Sequence, residues 1–180
     1  TDDRSGISIR RPGESVERDL SWLDAAVLAD FSADGSQVLF SEEGVGGGPQ
    51  RSAYLRGSDG SPALRLGDGA ARCDSSPPVP VTPPPWRFPA LMLDARWLGD
   101  DERLVVRAVA ADGTSRLYAV GRDGSAPTAI TPAGLDVAAV GWAVAPNGRE
   151  VAVSSADGVQ LFAVSGGAAG RRLPGSRSRW

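Results

Sequence analysis

The chain reads as an all-β protein, a β-propeller fragment of four-stranded antiparallel blades, with about three recognisable blades and a partial one. Three observations predict this. One phrase recurs three times: an apolar run, an Asp/Asn-Gly-type turn, a β-rich run, a further run, and a Gly turn before a last strand. Four short strands in a unit of roughly 40–50 residues are the signature of a blade. The turns fall between β-branched and aromatic runs, as a strand–turn–strand reading requires. The centres of several runs are apolar on both faces, as in strands packed between neighbouring sheets.

The elements follow in order. Residues 1–24 read as the end of a preceding blade and a connector, with Gly6–Arg10 as an inner strand. Within Glu17–Leu28 the apolar residues at 20, 23, 27 and 28 have helical spacing with Ser15 as cap, so a short helix competes there with the strand that the repeat places from Val27. The first blade, 25–69, runs through Val27–Ser32, the turn Ala33-Asp34-Gly35, Gln37–Ser41, Arg51–Arg56, the turn Asp59-Gly60-Ser61 and Ala63–Leu66. The second, 92–134, has Ala95–Leu98, the turn Gly99-Asp100-Asp101, Arg103–Ala108, Arg116–Val120, the turn Asp123-Gly124-Ser125 and Pro127–Thr131. The third, 135–176, has Val140–Val144, the turn Pro146-Asn147-Gly148, Glu150–Ser154, Val159–Val164, the turn Ser165-Gly166-Gly167 and Arg171–Leu173. Residues 177–180 form a tail.

Asp-Gly and Asn-Gly suit tight hairpins because glycine, and to a lesser degree Asn or Asp, accepts positive φ. Gln37–Ser41 and Glu150–Ser154 are expected to be covered on both faces. In the third strands, Leu117 with Leu161 and Tyr118 with Phe162 read as equivalent sites, with Tyr54-Leu55 as the looser counterpart. Phe31, Trp97 and Trp142 mark the innermost strands, where a large aromatic fills the wedge between blades; stacking on a ligand is the alternative role.

The stretch 70–91 breaks the pattern. It holds seven of the 14 prolines: Pro77, Pro78, Pro80, Pro83, Pro84, Pro85 and Pro89. Proline has no N–H for a ladder, so this is extended chain and not a central strand. Asp34 and Asp100 stand 66 positions apart, against 47 from Asp100 to Asn147. A connector, a degenerate blade, or the scar of a deletion or frame shift accounts for that spacing. A proline-rich connector also suits recruitment of a proline-binding module.

Composition excludes much. At 180 residues the chain holds about four blades, few for a propeller, and it begins with Thr1, so it reads as a piece of a longer protein. All 19 basic residues are arginine, the mark of a GC-rich coding sequence; there is no lysine and no histidine. Without histidine there is no Ser-His-Asp or Cys-His pair and no His-ligated zinc or haem. Without lysine there is no P-loop or kinase lysine and no Schiff base. A propeller hydrolase would need its nucleophile and base from elsewhere. Gly44–Pro49 has the glycines of a phosphate loop, yet it lies between two strands of one blade and reads as a hairpin loop. A formal charge of −3 favours neither nucleic acid nor an anionic membrane. Cys73 is single and forms no intrachain disulfide. Asp100-Asp101-Glu102 and Asp2-Asp3 lack calcium-loop spacing and read as solvated turns. Arg171-Arg172 and Arg177-Ser178-Arg179 read as an exposed strand and end. No apolar run approaches the ~20 residues of a membrane helix. Neither a catalytic, a metal nor a cofactor residue is assigned, and no cofactor is expected.

The phrase Pro12-Gly13-Glu14, Glu17–Asp24, Ala29–Gly35 and Leu39–Glu42 resembles the TolB-like, WD-repeat-like propellers of bacteria. More narrowly, it is similar to the propeller region carried at the C-terminal end of many bacterial serine/threonine protein kinases. Tyr54-Leu55-Arg56, Asp59–Ala63, Arg65-Leu66-Gly67, Ala95–Leu98, Arg116-Leu117-Tyr118 and Asp123-Gly124 continue the match. Glu17–Asp24 is its most specific part. The resemblance implies a non-catalytic sensor or binding module, with a protein or peptide partner, on the extracytoplasmic side. The alternatives are the regulatory region of a kinase whose catalytic domain lies elsewhere and a periplasmic TolB-like protein. The faces expected to bind are the blade tops and the central channel, with no residue singled out.

Overall fold

A computed structural model of the chain describes residues 5–23, 25–44, 48–66, 92–110, 112–121, 125–138, 140–156, 158–167 and 169–176. The described elements are strands, arranged as three four-stranded antiparallel sheets and one two-stranded hairpin. The hairpin joins β1 (Ser8–Ile9) and β2 (Arg18–Asp19). The first blade is β3 (Ala25–Phe31), β4 (Gln37–Gly44), β5 (Gly48–Gly57) and β6 (Leu64–Arg65). The second is β7 (Met92–Trp97), β8 (Arg103–Val109), β9 (Ser115–Gly121) and β10 (Thr128–Ala129). The third is β11 (Trp142–Val144), β12 (Glu150–Ser155), β13 (Gly158–Ala163) and β14 (Arg171–Arg172). In each blade every strand pairs with the next in sequence, so each sheet is a simple meander. The proline-rich stretch 70–91, Cys73, Asp2-Asp3, Arg177–Arg179 and the turn residues Asp123-Gly124 lie outside the described residues.

The competing helix does not form. Leu20 is buried, but Leu23, Val27 and Leu28 are 39%, 40% and 47% exposed, so the apolar spacing in Glu17–Leu28 does not gather on one covered face. Strand pairing wins instead: Ser8 opposes Asp19, and Ala25 opposes Glu43. The run Gly6–Arg10 contributes a two-residue strand to this separate hairpin, not to a four-stranded sheet.

Blade stacking explains the burial pattern. Leu39, Ala53, Leu55 and Leu66 of the first blade pack against Ala95, Trp97, Leu104, Val106, Ala108 and Val120 of the second. Val105 and Leu117 on the other face of the second blade pack with Trp142, Val151, Val153 and Phe162 of the third. The hairpin covers the remaining face of the first blade, where Ile7 and Leu20 meet Ala26, Val38, Phe40, Tyr54 and Ala63. Phe40 and Tyr54 stack with ring centroids 5.5 Å apart. Trp97 and Trp142 therefore fill seams between blades, the packing role expected of them, and Phe31 packs under the hairpin.

Two sequence readings need correction. Gln37–Ser41 is covered on both faces, but β12 is buried on alternate residues only, at Val151 and Val153. The registers also shift the assigned equivalences. Gln37, Arg103 and Glu150 oppose Gly57, Gly121 and Ala163, so Leu55, Ala119 and Leu161 are equivalent, as are Tyr54, Tyr118 and Gln160. Leu117 matches Val159, two places from the expected Leu161. A two-residue slip keeps every side chain on its face, so apolar alternation cannot detect it.

Candidate functional site

The first strands of the three blades converge on one cleft of about 300 Å³, lined by Asp30, Arg96, Trp97, Trp142 and the chain from Ala143 to Pro146. Each charged group here has a local cause. A bulge between Leu28 and Asp30 interrupts the β3–β4 register. The Asp30 carboxylate accepts from its neighbour Phe31 N at 2.8 Å and, across the seam, from Trp97 N at 2.9 Å. A second bulge, between Met92 and Asp94, lies in β7. Asp94 accepts from Ala95 N at 2.9 Å and from Arg96 Nη1 at 2.7 Å, an ion pair that is 13% and 30% exposed on its two sides.

The Arg96 guanidinium lies 5.2 Å from the ring centroid of Trp142, a cation–π contact between the second and third blades. Trp142 is 8% exposed, and its Nε1 has no hydrogen-bond partner among the described residues. The cleft thus combines an aromatic face, a guanidinium and the Asp30 carboxylate, with Asp94 holding the guanidinium from beside it. Such a set suits polar recognition. Among the described residues it holds no nucleophile–base pair, and no three potential metal ligands cluster.

A second groove of about 690 Å³ lies between the second and third blades, lined by Arg103, Asn147, Arg149, Ser125 and Ser165. Arg103 is held there by Asp100, with Nη2 at 2.7 Å from Oδ2.

Of the residues weighed in the sequence, Asp100 and Asp101 sit in the β7–β8 turn. Asp100 accepts from the amides of Glu102 and Arg103 at 3.1 and 2.9 Å. Asp101 does more than face solvent: it accepts from Ala33 N of the first blade at 2.8 Å, tying two turns together. Arg171 is exposed in β14 and pairs with Glu150 at 3.4 Å. Gly44 pairs with Gly48 at the end of the β4–β5 hairpin, where the glycine-rich loop was expected. Sequence reading missed Asp30, Asp94 and Arg96. The available signal was a charged residue set inside an otherwise apolar first strand.

Comparison with solved structures bears on the architecture. A structure described as a TolB of Agrobacterium tumefaciens superposes with a TM-score of 0.62 at 16% identity, over 93% of this chain and 56% of that one. TolB from Acinetobacter baumannii gives a TM-score of 0.55 at 13% identity, over 89% of this chain and 38% of that one. The fold is TolB-like. The chain spans about half the length of the first of these propellers and less of the second. No family model matches the chain, and no curated protein matches it in sequence.

Proposed function

We propose that this propeller region is a non-catalytic module that binds a protein or peptide at the cleft between its first strands. The supporting observation is the Arg96–Trp142 pair beside Asp30, a cation, an aromatic and an acceptor on the inner edge, with the cation held by Asp94. Extended peptides offer carbonyls, amides and charged ends that such a set recognises without chemistry. The absence of histidine and lysine from the sequence favours binding over acid–base or covalent work.

The test is a random peptide phage library panned on the 180-residue chain, with Arg96→Ala as counter-screen. Arg96 lies outside the apolar cores of both seams, and a thermal melt of the variant checks that its fold is kept. Enriched peptides are expected to lose about tenfold affinity, on the order of 1.4 kcal/mol, with the variant. Peptides that bind both forms equally, or no enrichment at all, would remove the cleft from consideration.

A second reading, the sensor region of a bacterial serine/threonine kinase, rests on the phrase Glu17–Asp24 and the run into β3. A periplasmic TolB-like protein is the other form of the same binding module, supported by the likeness of fold. The coding sequence upstream of Thr1 separates them: a kinase domain and a membrane span favour the first, a secretion signal and further blades the second.

A further inference from the structure

We propose that the cleft holds its peptide by strand addition, the bound segment pairing along the free inner edge of β11; this rests on the cleft being a peptide site. The pairings fix which amides face that edge. Ser32 N bonds to Gln37 O, Leu98 N to Arg103 O and Ala145 N to Glu150 O, each linking the end of a first strand to the second strand of its blade. In an antiparallel ladder the residue before such a donor turns its own N–H and C=O the other way. Phe31, Trp97 and Val144 therefore aim these groups at the inner edge, and opposite Val38, Leu104 and Val151 they are equivalent. Trp142, two places before Val144 and opposite Val153, faces the same edge.

In the first two blades these edge amides already have acceptors. One carboxylate, that of Asp30, accepts from Phe31 N through Oδ1 at 2.8 Å and from Trp97 N through Oδ2 at 2.9 Å. Asp94 accepts at 2.9 Å from Ala95 N, the equivalent of Trp142 N. At the other end of β3 the chain itself occupies the edge. Ser5 bridges to Ala25 in parallel, and its carbonyl accepts from Ala26 N at 3.0 Å. Extended backbone thus already adds to the inner edge of a first strand. In β11 every capping residue is replaced. Gly141 stands where the second blade has Asp94, Ala143 stands where the first has Asp30, and the adjoining blade has Arg96 at that place. None of these three side chains can accept a hydrogen bond. Among the described residues the amides of Trp142 and Val144 have no acceptor.

Charged side chains over a sheet edge keep other chains from pairing with it. The third blade lacks that cover at the cleft, where Ala143 is exposed and Val144 half-buried. Pro146 has no N–H, so the donors stop at Val144. The edge then offers two N–H groups and two C=O groups, one of each from Trp142 and Val144. An extended backbone matches this row, because its alternate residues face one side. A small anion or a sugar presents no such alternation of amides and carbonyls. Arg96 sets the start of the edge: its Nη1 is taken by Asp94 and by Ala95 O at 2.7 and 2.8 Å, and its guanidinium lies against the Trp142 ring.

The experiment takes the peptides enriched from the random library on the 180-residue chain and measures them against Val144→Pro. Proline removes only the outward N–H, and an edge strand accepts it at such a position. Affinity is expected to fall about tenfold or more, with the melting temperature kept within roughly 3 °C. In the free chain, hydrogen exchange resolved by residue should find the Val144 amide open and those of Phe31 and Trp97 protected. Bound peptide should slow the Val144 amide about tenfold or more. N-methylation along the peptide should abolish binding at alternate residues only, and this scan with the exchange data decides the matter if Val144→Pro does not fold. Peptides that weaken with Arg96→Ala yet bind Val144→Pro like the wild type overturn strand addition and leave the cleft reading standing. A Val144 amide as protected in the free chain as that of Trp97, or N-methylation tolerated at every position, overturns it in the same way. No enrichment, or peptides indifferent to Arg96→Ala, overturns both.

Discussion

At the scale of single residues, the turns set the pattern. A carboxylate or amide oxygen accepts from the amide two residues on in five hairpins: Asp34 from Ser36, Asp59 from Ser61, Asp100 from Glu102, Asp112 from Thr114 and Asn147 from Arg149. These bonds make an Asx turn, which is why Asp and Asn lead each turn. They also hold the charged form. The Ser32 hydroxyl, 2.7 Å from Asp34, joins the Ser36 amide in holding that carboxyl down to about 2. Bonds from Ser61 and Thr114 lower Asp59 and Asp112 in the same direction. A depressed folded-state pKa contributes stability above the unfolded value of about 3.9 and loses it as pH falls through the folded value. Thermal melts of the wild type should therefore weaken between about pH 4 and pH 2, and Asp34→Asn, which keeps the acceptor but not the charge, should flatten that decline. Equal slopes for the two proteins would show that Asp34 does not carry it. The position after each leading residue needs positive φ: Gly35 at 68°, Asp101 at 52° and Gly148 at 65°. At Gly148 a side chain would also strike the Leu98 carbonyl oxygen of the second blade. Gly148→Ala combines αL strain, about 1–2 kcal/mol, with that collision, so chemical denaturation should show a loss of about 2 kcal/mol or more.

At the scale of elements, the hairpin β1–β2 is tied to the first blade through its apolar face and through Arg11, Arg18 and Arg56, of which Arg56 makes the most bonds. Arg56 donates through Nη1 to the carbonyls of Leu20 and Ser21 at 2.8 and 3.0 Å, through Nη2 to Gly60 O at 3.0 Å and through Nε to Ser61 O at 2.8 Å. Its guanidinium also lies 5.5 Å from the Trp22 ring centroid. A lysine keeps the charge but not the planar fork, so Arg56→Lys does not substitute for it. The variant should lose about 2–3 kcal/mol locally, given ~1.5–3 kcal/mol for bonds to charged groups. Hydrogen exchange would show this as faster exchange at the Leu20 amide, which bonds to Ile7 O at 2.7 Å, with the second and third blades unchanged. Uniform loss of protection would mean that the hairpin is not a separable unit. The bonds to Leu20 and Ser21 were not legible in the sequence, because a fork reaching residues 36 and 35 positions away leaves no periodic trace. The strands themselves were legible, since Asp-Gly and Asn-Gly turns and β-branched runs are local signals. The Leu117–Leu161 equivalence failed because a slip of two leaves alternation intact, and only the pairings of Gly121 and Ala163 fix it. Asp30 and Arg96 escaped notice for a related reason: what matters about them is the neighbouring blade each one touches.

At the scale of the whole molecule, the second blade is the middle of the stack, and its β8 carries both seams on adjacent residues. Val105 and Val106 are each fully buried, yet Val105 belongs to the core shared with the third blade and Val106 to the core shared with the first. Arrays whose units touch only their neighbours behave as a sum of unit and interface energies. A truncation at Val105 therefore acts first on the third blade, and the same truncation at Val106 acts first on the first blade. Removing the two γ-methyl groups should cost about 1–3 kcal/mol in either case, so global melts alone would not tell the variants apart. Hydrogen exchange resolved by residue would. Val105→Ala should speed exchange at the Val164 amide, which bonds to Arg149 O, and Val106→Ala at the Leu66 amide, which bonds to Ala53 O. Identical profiles for both variants would show that the blades open as one unit, and the cleft at their inner edge would then be rigid to any ligand that enters it. Divergent profiles would mean that Asp30, Arg96 and Trp142, one from each blade, move relative to one another when a seam opens. A ligand spanning all three would in that case stabilise both seams at once, and its binding should slow exchange at both reporter amides together.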